Sequence, residues 1–200
     1  WQLINGEFFS RLVQDVSLLQ NTFNHGQPLG ALLQIDSGRG DRHQDGRSVF
    51  ILSFSCGLKL LYKPKPLAVD CKFQQLLQWL NDIGVEPKLP QMLILDRDDY
   101  GWGEFITHKE WESHEQLKRF YQRQGAYLAL LGMLEATDFH YENIIAHGEM
   151  PYLIDLETLF QPHLADSTAV GPGSRITLPT VMRNGMLPAF QLNSPDSPLV

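Results

Sequence analysis

Thr137-Asp138-Phe139-His140-Tyr141-Glu142-Asn143-Ile144-Ile145, followed across a short turn by Pro151-Tyr152-Leu153-Ile154-Asp155-Leu156-Glu157, is the stretch whose reading decides the fold. It reads as a polar loop leaving a helix, a short apolar run, a glycine turn, and a second apolar run ending in two acids. Taken singly, its polar residues have ordinary explanations: Asp138 and Asn143 can cap turns, and His140 can be a hydrogen-bonded core histidine. Asp155 is harder to dismiss, because an acid ending an apolar strand either points into a cleft or needs a buried partner. An Asp, a His, an Asn and a second Asp at the mouth of a hairpin suit one task. They can hold a hard divalent cation beside a triphosphate while another carboxylate receives a hydroxyl proton. The expectation is a phosphoryl-transfer site.

Upstream, the segments read as supports for that site. Phe8, Phe9, Leu12, Val13, Val16 and Leu19 recur at helical spacing between Gly6 and Phe23, and Asn24-His25-Gly26 stops the helix. Three short strands follow, Ala31 to Ile35, Ser48 to Phe54 and Leu58 to Tyr62, the first two joined by a polar loop with three glycines. Such a loop can lay backbone N–H groups over phosphates or be a hairpin tip, and no G-x-x-x-x-G-K-[ST] run is present. Lys63 closes the third strand, where a lysine can neutralise phosphate oxygens as a point charge. Pro64 and Pro66 end the strand and lead to a helix with a stripe of Val69, Phe73, Leu76, Leu77 and Leu80, stopped by Gly84; Trp79 reads as packing. A second hairpin, Gln91 to Leu95 with Trp102 to Ile106, turns at an acidic tip that lacks the spacing of a calcium loop. Ser113 and Gln116 form a capping box for a long helix. Its face is read as Leu117, Phe120, Tyr121, Tyr127, Leu128, Leu131 and Leu134, and it delivers the chain at Asp138.

Downstream, Gln161 to Ser174 is rich in Pro, Gly, Ser and His and reads as a mobile segment; Ile176 to Phe190 resists assignment, and the tail from Asn193 reads as frayed. The composition narrows the possibilities further. A net charge of −7 argues against a nucleic-acid partner held by a basic face. No apolar run has the length of a membrane span and no signal peptide is visible, so a cytoplasmic setting is expected, with Cys56 and Cys71 as reduced thiols. Trp1 rather than Met opens the chain, which is expected to be a piece of something longer.

The order of the signals matters more than any one of them: glycine-bearing hairpin, strand-end lysine, helix, hairpin, long helix, D-x-H-x-x-N, hairpin, Asp. A two-lobed kinase fold supplies its phosphate cover, phosphate-binding lysine, catalytic loop and metal-binding acid in that order. The expected class is therefore α+β, with a small antiparallel-sheet N-lobe over about residues 27–106. A helical C-lobe, expected to be truncated, covers about residues 107–200 with the catalytic loop and the metal-binding hairpin.

Four motifs narrow the family. They are Gly40-Asp41-Arg42-His43, Leu61-Tyr62-Lys63-Pro64-Lys65, Asp138-Phe139-His140-Tyr141-Glu142-Asn143-Ile144-Ile145 and Leu153-Ile154-Asp155-Leu156-Glu157-Thr158-Leu159-Phe160. Together they resemble the N-terminal dehydratase domain of class II lanthipeptide synthetases (the LanM family), which is similar to lipid kinases. Val181-Met182-Arg183-Asn184-Gly185-Met186-Leu187-Pro188 is similar to that family's segment beyond the metal site. The resemblance implies ATP- and Mg²⁺-dependent phosphorylation of Ser and Thr in a precursor peptide, then phosphate elimination to dehydroalanine or dehydrobutyrine. It implies that Lys63 holds ATP phosphate, with Gly40 in the phosphate-covering loop. Asp138 would orient or deprotonate the hydroxyl, with His140 supporting the loop. Asn143 and Asp155 would ligate Mg²⁺ with Glu157 close behind, and Asp41 and His43 would serve elimination. The family's remaining elimination residues, an Arg and a Thr, and its cyclase domain are expected beyond this piece, which alone is expected to be incomplete. Three rivals stand beside this reading: a lipid or small-molecule kinase, a metal-dependent hydrolase, and a non-catalytic pseudokinase that binds peptide.

Overall fold

The computed structural model describes residues 2–37, 49–159 and 184–187. The chain is α+β and divides into two compact units, Trp1–Thr107 and His108–Val200. Gly40, Asp41 and His43 lie outside the described residues, as do the expected mobile segment after Gln161 and the tail.

In the first unit, α1 (Gln2–Phe23) buries Phe8, Leu12, Leu19 and Phe23. Asp15 shares that face and is fully buried, whereas Phe9, Val13 and Val16, assigned to it from hydropathy, are exposed. The correction has a polar cause. The Tyr100 hydroxyl and Trp102 Nε1 each donate to Asp15 Oδ2 at 2.8 Å. Arg97 Nε lies 3.0 Å from Oδ1, close enough to attract as a charge although not aligned for a hydrogen bond. A stripe drawn from hydropathy alone omits any charged residue, so it misses a face whose centre is a carboxylate held by distant donors.

Five antiparallel strands follow: β1 (Leu32–Ser37), β2 (Phe50–Phe54), β3 (Lys59–Lys63), β4 (Ile94–Asp96) and β5 (Gly101–Glu104), in the spatial order β1-β2-β3-β5-β4. The last strand ends at Glu104, short of the expected Ile106. Leu52, Phe54, Leu60, Tyr62 and Trp102 bury one face of the sheet against α1. Phe8 meets Tyr62 edge-on at 5.1 Å, and Tyr62 lies 5.0 Å from Trp102 between ring centroids. Because successive side chains alternate, burying Tyr62 on the α1 side sends Lys63 to the opposite side. There α2 (Ala68–Asp82) buries Phe73 and Leu77. Gly101 lets this layer close: a Cβ there would sit 2.5 Å from Leu67 Cδ1. Val69 and Trp79, read as packing residues, are exposed, and Asp70 takes the buried position instead. Cys56 and Cys71 are free thiols.

In the second unit, α3 (His114–Met133) starts at its expected cap, where Ser113 Oγ accepts from Gln116 N at 3.2 Å. The reciprocal arm is displaced by one residue, since Gln116 Oε1 accepts from Glu112 N at 2.7 Å. Phe120, Tyr127, Leu130 and Leu131 are buried together with Arg123, while Tyr121, expected on that face, is exposed. Beyond α3 the hairpin β6 (Ile144–His147) and β7 (Met150–Leu153) is joined by Gly148-Glu149, with Gly148 at φ +59° supplying the turn. Arg123 Nη1 donates to the Glu149 carbonyl at 3.0 Å and Nη2 to Oε1 at 3.2 Å, and Arg119 pairs with the same carboxylate. These contacts fasten the hairpin tip to α3, which fixes both ends of the polar loop between them. Among the described residues no helix is long and apolar enough to cross a membrane.

Candidate active site

In the second unit, Asp138, His140 and Asn143 form one hydrogen-bonded loop. Asp138 has φ +66°, a left-handed conformation that Asp and Asn tolerate better than most residues. Its carbonyl accepts from Asn143 Nδ2 at 2.7 Å. His140 places Nδ1 3.2 Å from Asp138 Oδ1 and Nε2 3.1 Å from Glu142 Oε2. A ring facing a carboxylate at each nitrogen favours the doubly protonated imidazolium. The pair with Glu142, and then Asp138, accordingly raises the His140 pKa above its ordinary value. The one-turn helix Tyr141–Asn143 then closes, with Asn143 N donating to the His140 carbonyl at 3.0 Å.

The hairpin carries the second acid. Ile144 pairs with Leu153, and the Asn143 carbonyl accepts from Ile154 N at 2.9 Å, so Asn143 flanks the strand exit one residue before Asp155. Asp155 is half-buried at φ +59° and ψ +65°, a second left-handed acid, and it begins the one-turn helix Leu156–Thr158 that contains Glu157. Two separate segments brace the loop. The Thr158 hydroxyl donates to the Thr137 carbonyl, and Phe139 N donates to the Asn184 carbonyl at 2.6 Å.

Among the described residues no three His, Cys, Asp or Glu side chains are grouped to hold a metal. The expected set differs in kind: one amide oxygen and two carboxylates, Asn143, Asp155 and Glu157. The bond from Asn143 Nδ2 to Asp138 commits the amide nitrogen and leaves the amide oxygen as the hard donor. Mg²⁺ is commonly held by one or two carboxylates plus phosphate oxygens rather than by an all-protein cage, and this donor set fits that habit.

In the first unit, Lys63 Nζ lies 3.6 Å from Asp70 Oδ1, both side chains being largely buried. Burial pushes the Asp70 pKa up, and Lys63 pulls it back down. Sequence reasoning missed Asp70, although a signal existed: an acid in the first turn of a helix, on the face of Phe73 and Leu77, seven residues beyond a strand-end lysine. A lysine paired with an acid of the following helix is also how kinase sites orient their phosphate-binding lysine.

Over 168 aligned residues the chain is 31% identical to the lacticin 481/lactococcin biosynthesis protein LcnDR2 of Lactococcus lactis subsp. lactis. The match covers 78% of this chain and 18% of that protein, so the chain spans about a fifth of its relative's length. A family model described as a domain of unknown function, DUF4135, matches residues 1–198, and the chain belongs to that family.

Proposed function

We propose that this chain is the kinase-like part of a lanthipeptide dehydratase domain of the LanM type, built as a sheet-bearing lobe and a helical lobe. It serves ATP-dependent phosphorylation of Ser and Thr in a precursor peptide, followed by elimination of the phosphate. The likeness to a lacticin 481 biosynthesis protein supports the substrate class. The observation that carries the reading is the bond between Asn143 and Asp138, which sets a proton-accepting carboxylate and a hard oxygen donor on one short loop. Two steps are needed because hydroxide, the conjugate base of so weak an acid as water, is a poor leaving group. A phosphoryl group, titrating near about 6, leaves far more readily.

In this scheme Asp138 takes the proton of the attacking hydroxyl, and His140 holds that carboxylate in place. Lys63, oriented by Asp70, binds phosphate oxygens. Asn143 and Asp155, with Glu157 behind them, hold Mg²⁺, which together with ATP supplies the phosphoryl group and charge neutralisation. Gly40 would contribute to phosphate binding, and Asp41 and His43 would serve the elimination.

The test is co-expression of the full-length protein with its precursor peptide, read by mass spectrometry. One water lost per modified Ser or Thr is expected, and Asp155→Asn should abolish it. Stable phosphate accumulating with the wild type would leave a kinase without elimination. Modification by Asp155→Asn at the wild-type level would remove Asp155 from the chemistry.

A further inference from the structure

We propose that Thr158 and the Asn184-Gly185 turn are positioning residues that hold Asp138 in its left-handed conformation, so that its carboxylate is oriented before the hydroxyl substrate arrives. The catalytic half of this inference rests on the function proposed above, whereas the structural half does not.

The geometry is specific to one residue. The conformation of Asp138 is set by the peptide plane before it and the plane after it, because φ and ψ are the only soft torsions between them. Both planes are tied. The Thr137 carbonyl, in the plane before, accepts from the Thr158 hydroxyl. In the plane after, the Asp138 carbonyl accepts from Asn143 Nδ2 at 2.7 Å and Phe139 N donates to the Asn184 carbonyl at 2.6 Å. Two segments distant in sequence, together with Asn143 of the loop itself, thus converge on two consecutive peptide groups. A left-handed non-glycine residue persists only where its surroundings over-determine it, and here they do.

The Asn184-Gly185 turn is built for that contact. Asn184 is 1% exposed; its Nδ2 donates to the Leu128 carbonyl of α3 at 3.3 Å, and its Oδ1 accepts from Met186 N at 3.1 Å. The side chain is therefore used up in fixing its own backbone, which presents the carbonyl to Phe139. Gly185 has φ +82°, and a Cβ there would lie 3.3 Å from Phe139 N and 3.4 Å from His140 N. Any other residue would be strained and would also press on the backbone of the loop. Packing alone would have been satisfied by an apolar contact with Phe139; the contact made is instead to the peptide that orients Asp138.

The experiment uses the full-length protein with Gly185→Ala, Thr158→Val and Thr158→Ser. Gly84→Ala is the control, since Gly84 has φ +94° with nothing within 4 Å of a would-be Cβ. Amide exchange of the peptide containing Phe139 and steady-state phosphoryl transfer are both read. Gly185→Ala and Thr158→Val should speed Phe139 exchange and lower kcat by about tenfold to a hundredfold, with KM for ATP within about twofold. Thr158→Ser should restore both, and Gly84→Ala should change neither. Unchanged Phe139 exchange in Gly185→Ala and Thr158→Val overturns the brace. A loss confined to KM, or equalled by Gly84→Ala, overturns its positioning role. If Gly185→Ala does not fold, the two Thr158 variants decide alone. If the wild type transfers no phosphate, the proposed function falls while the exchange data still decide the brace.

Discussion

Removing Lys63 should cost more stability than removing Lys63 and Asp70 together. The two charges lie 3.6 Å apart, with side-chain exposures of 17% and 9%. At an effective dielectric of about 20 their attraction is about 4–5 kcal/mol, which offsets the desolvation that raises the Asp70 pKa. Lys63→Met leaves a buried carboxylate without that partner, the situation that costs about 3–5 kcal/mol when a buried pair is broken. Lys65 also lowers the Asp70 pKa and would remain, so the expected loss is about 2–4 kcal/mol. Asp70→Leu should cost less, about 1–2 kcal/mol, because the lysine head can turn toward water. The double variant Lys63→Met/Asp70→Leu should lie within about 1 kcal/mol of the wild type, a coupling of about 2 kcal/mol or more. The pH dependence has a definite sign. With its folded pKa raised above the unfolded value, Asp70 holds its proton more tightly in the folded state. Its contribution therefore destabilises as pH rises through the carboxylate range, and more steeply in Lys63→Met. Urea denaturation followed by tryptophan fluorescence, to which the fully buried Trp102 contributes, measures all four corners of the cycle. Additive effects, or a Lys63→Met loss below about 0.5 kcal/mol, would refute the account of this pair as mutually dependent.

Asp15→Ala should destabilise the first unit by about 3 kcal/mol, because it strips Tyr100 and Trp102 of a shared buried acceptor and Arg97 of an opposite charge; thermal denaturation reads this directly. Gly101→Ala should cost about 1–3 kcal/mol, since its Cβ meets both Leu67 and the Leu95 carbonyl inside 3 Å, whereas Gly103→Ala, whose nearest neighbour is 4.0 Å away, should cost less in the same denaturation assay. His140 should titrate above 6.5 by NMR, and Glu142→Gln should lower its midpoint. The accompanying stabilisation is full below the unfolded pKa and disappears as pH rises through the folded value. An unchanged midpoint would show that the Glu142 contact does not persist in solution.

The elements were legible where one period dominates. Leu52, Phe54, Leu60 and Tyr62 alternate, and the strands they mark are present; Phe73 and Leu77 mark a helix in the same way. What escaped was the charged residue inside an apolar face. Asp15, Asp70 and Arg123 are all buried on helical faces that hydropathy would assign to neighbours, and each is accommodated by a partner outside its own helix. Periodicity cannot register this, because it scores a residue by its own transfer cost rather than by the partner that offsets it. The exposed Phe9, Val13 and Trp79 are the complementary error: apolar residues next to a stripe were counted as part of it.

The loop and hairpin at the candidate site were legible as residue types and not as backbone. Asp138 and Asp155 both occupy left-handed conformations, one leaving the long helix and the other leaving a strand. Aspartate reaches that region at lower cost than most residues, so an acid at such an exit can redirect the chain and present a carboxylate at the same position. Two roles in one residue make substitution ambiguous: Ala at Asp138 removes the carboxylate and also raises the cost of φ +66°. Asn keeps the turn and removes the charge, which makes Asp138→Asn the variant that isolates proton transfer from loop geometry. The same reasoning applies to Asp155, where Asn retains the left-handed turn and an oxygen donor while removing the negative charge.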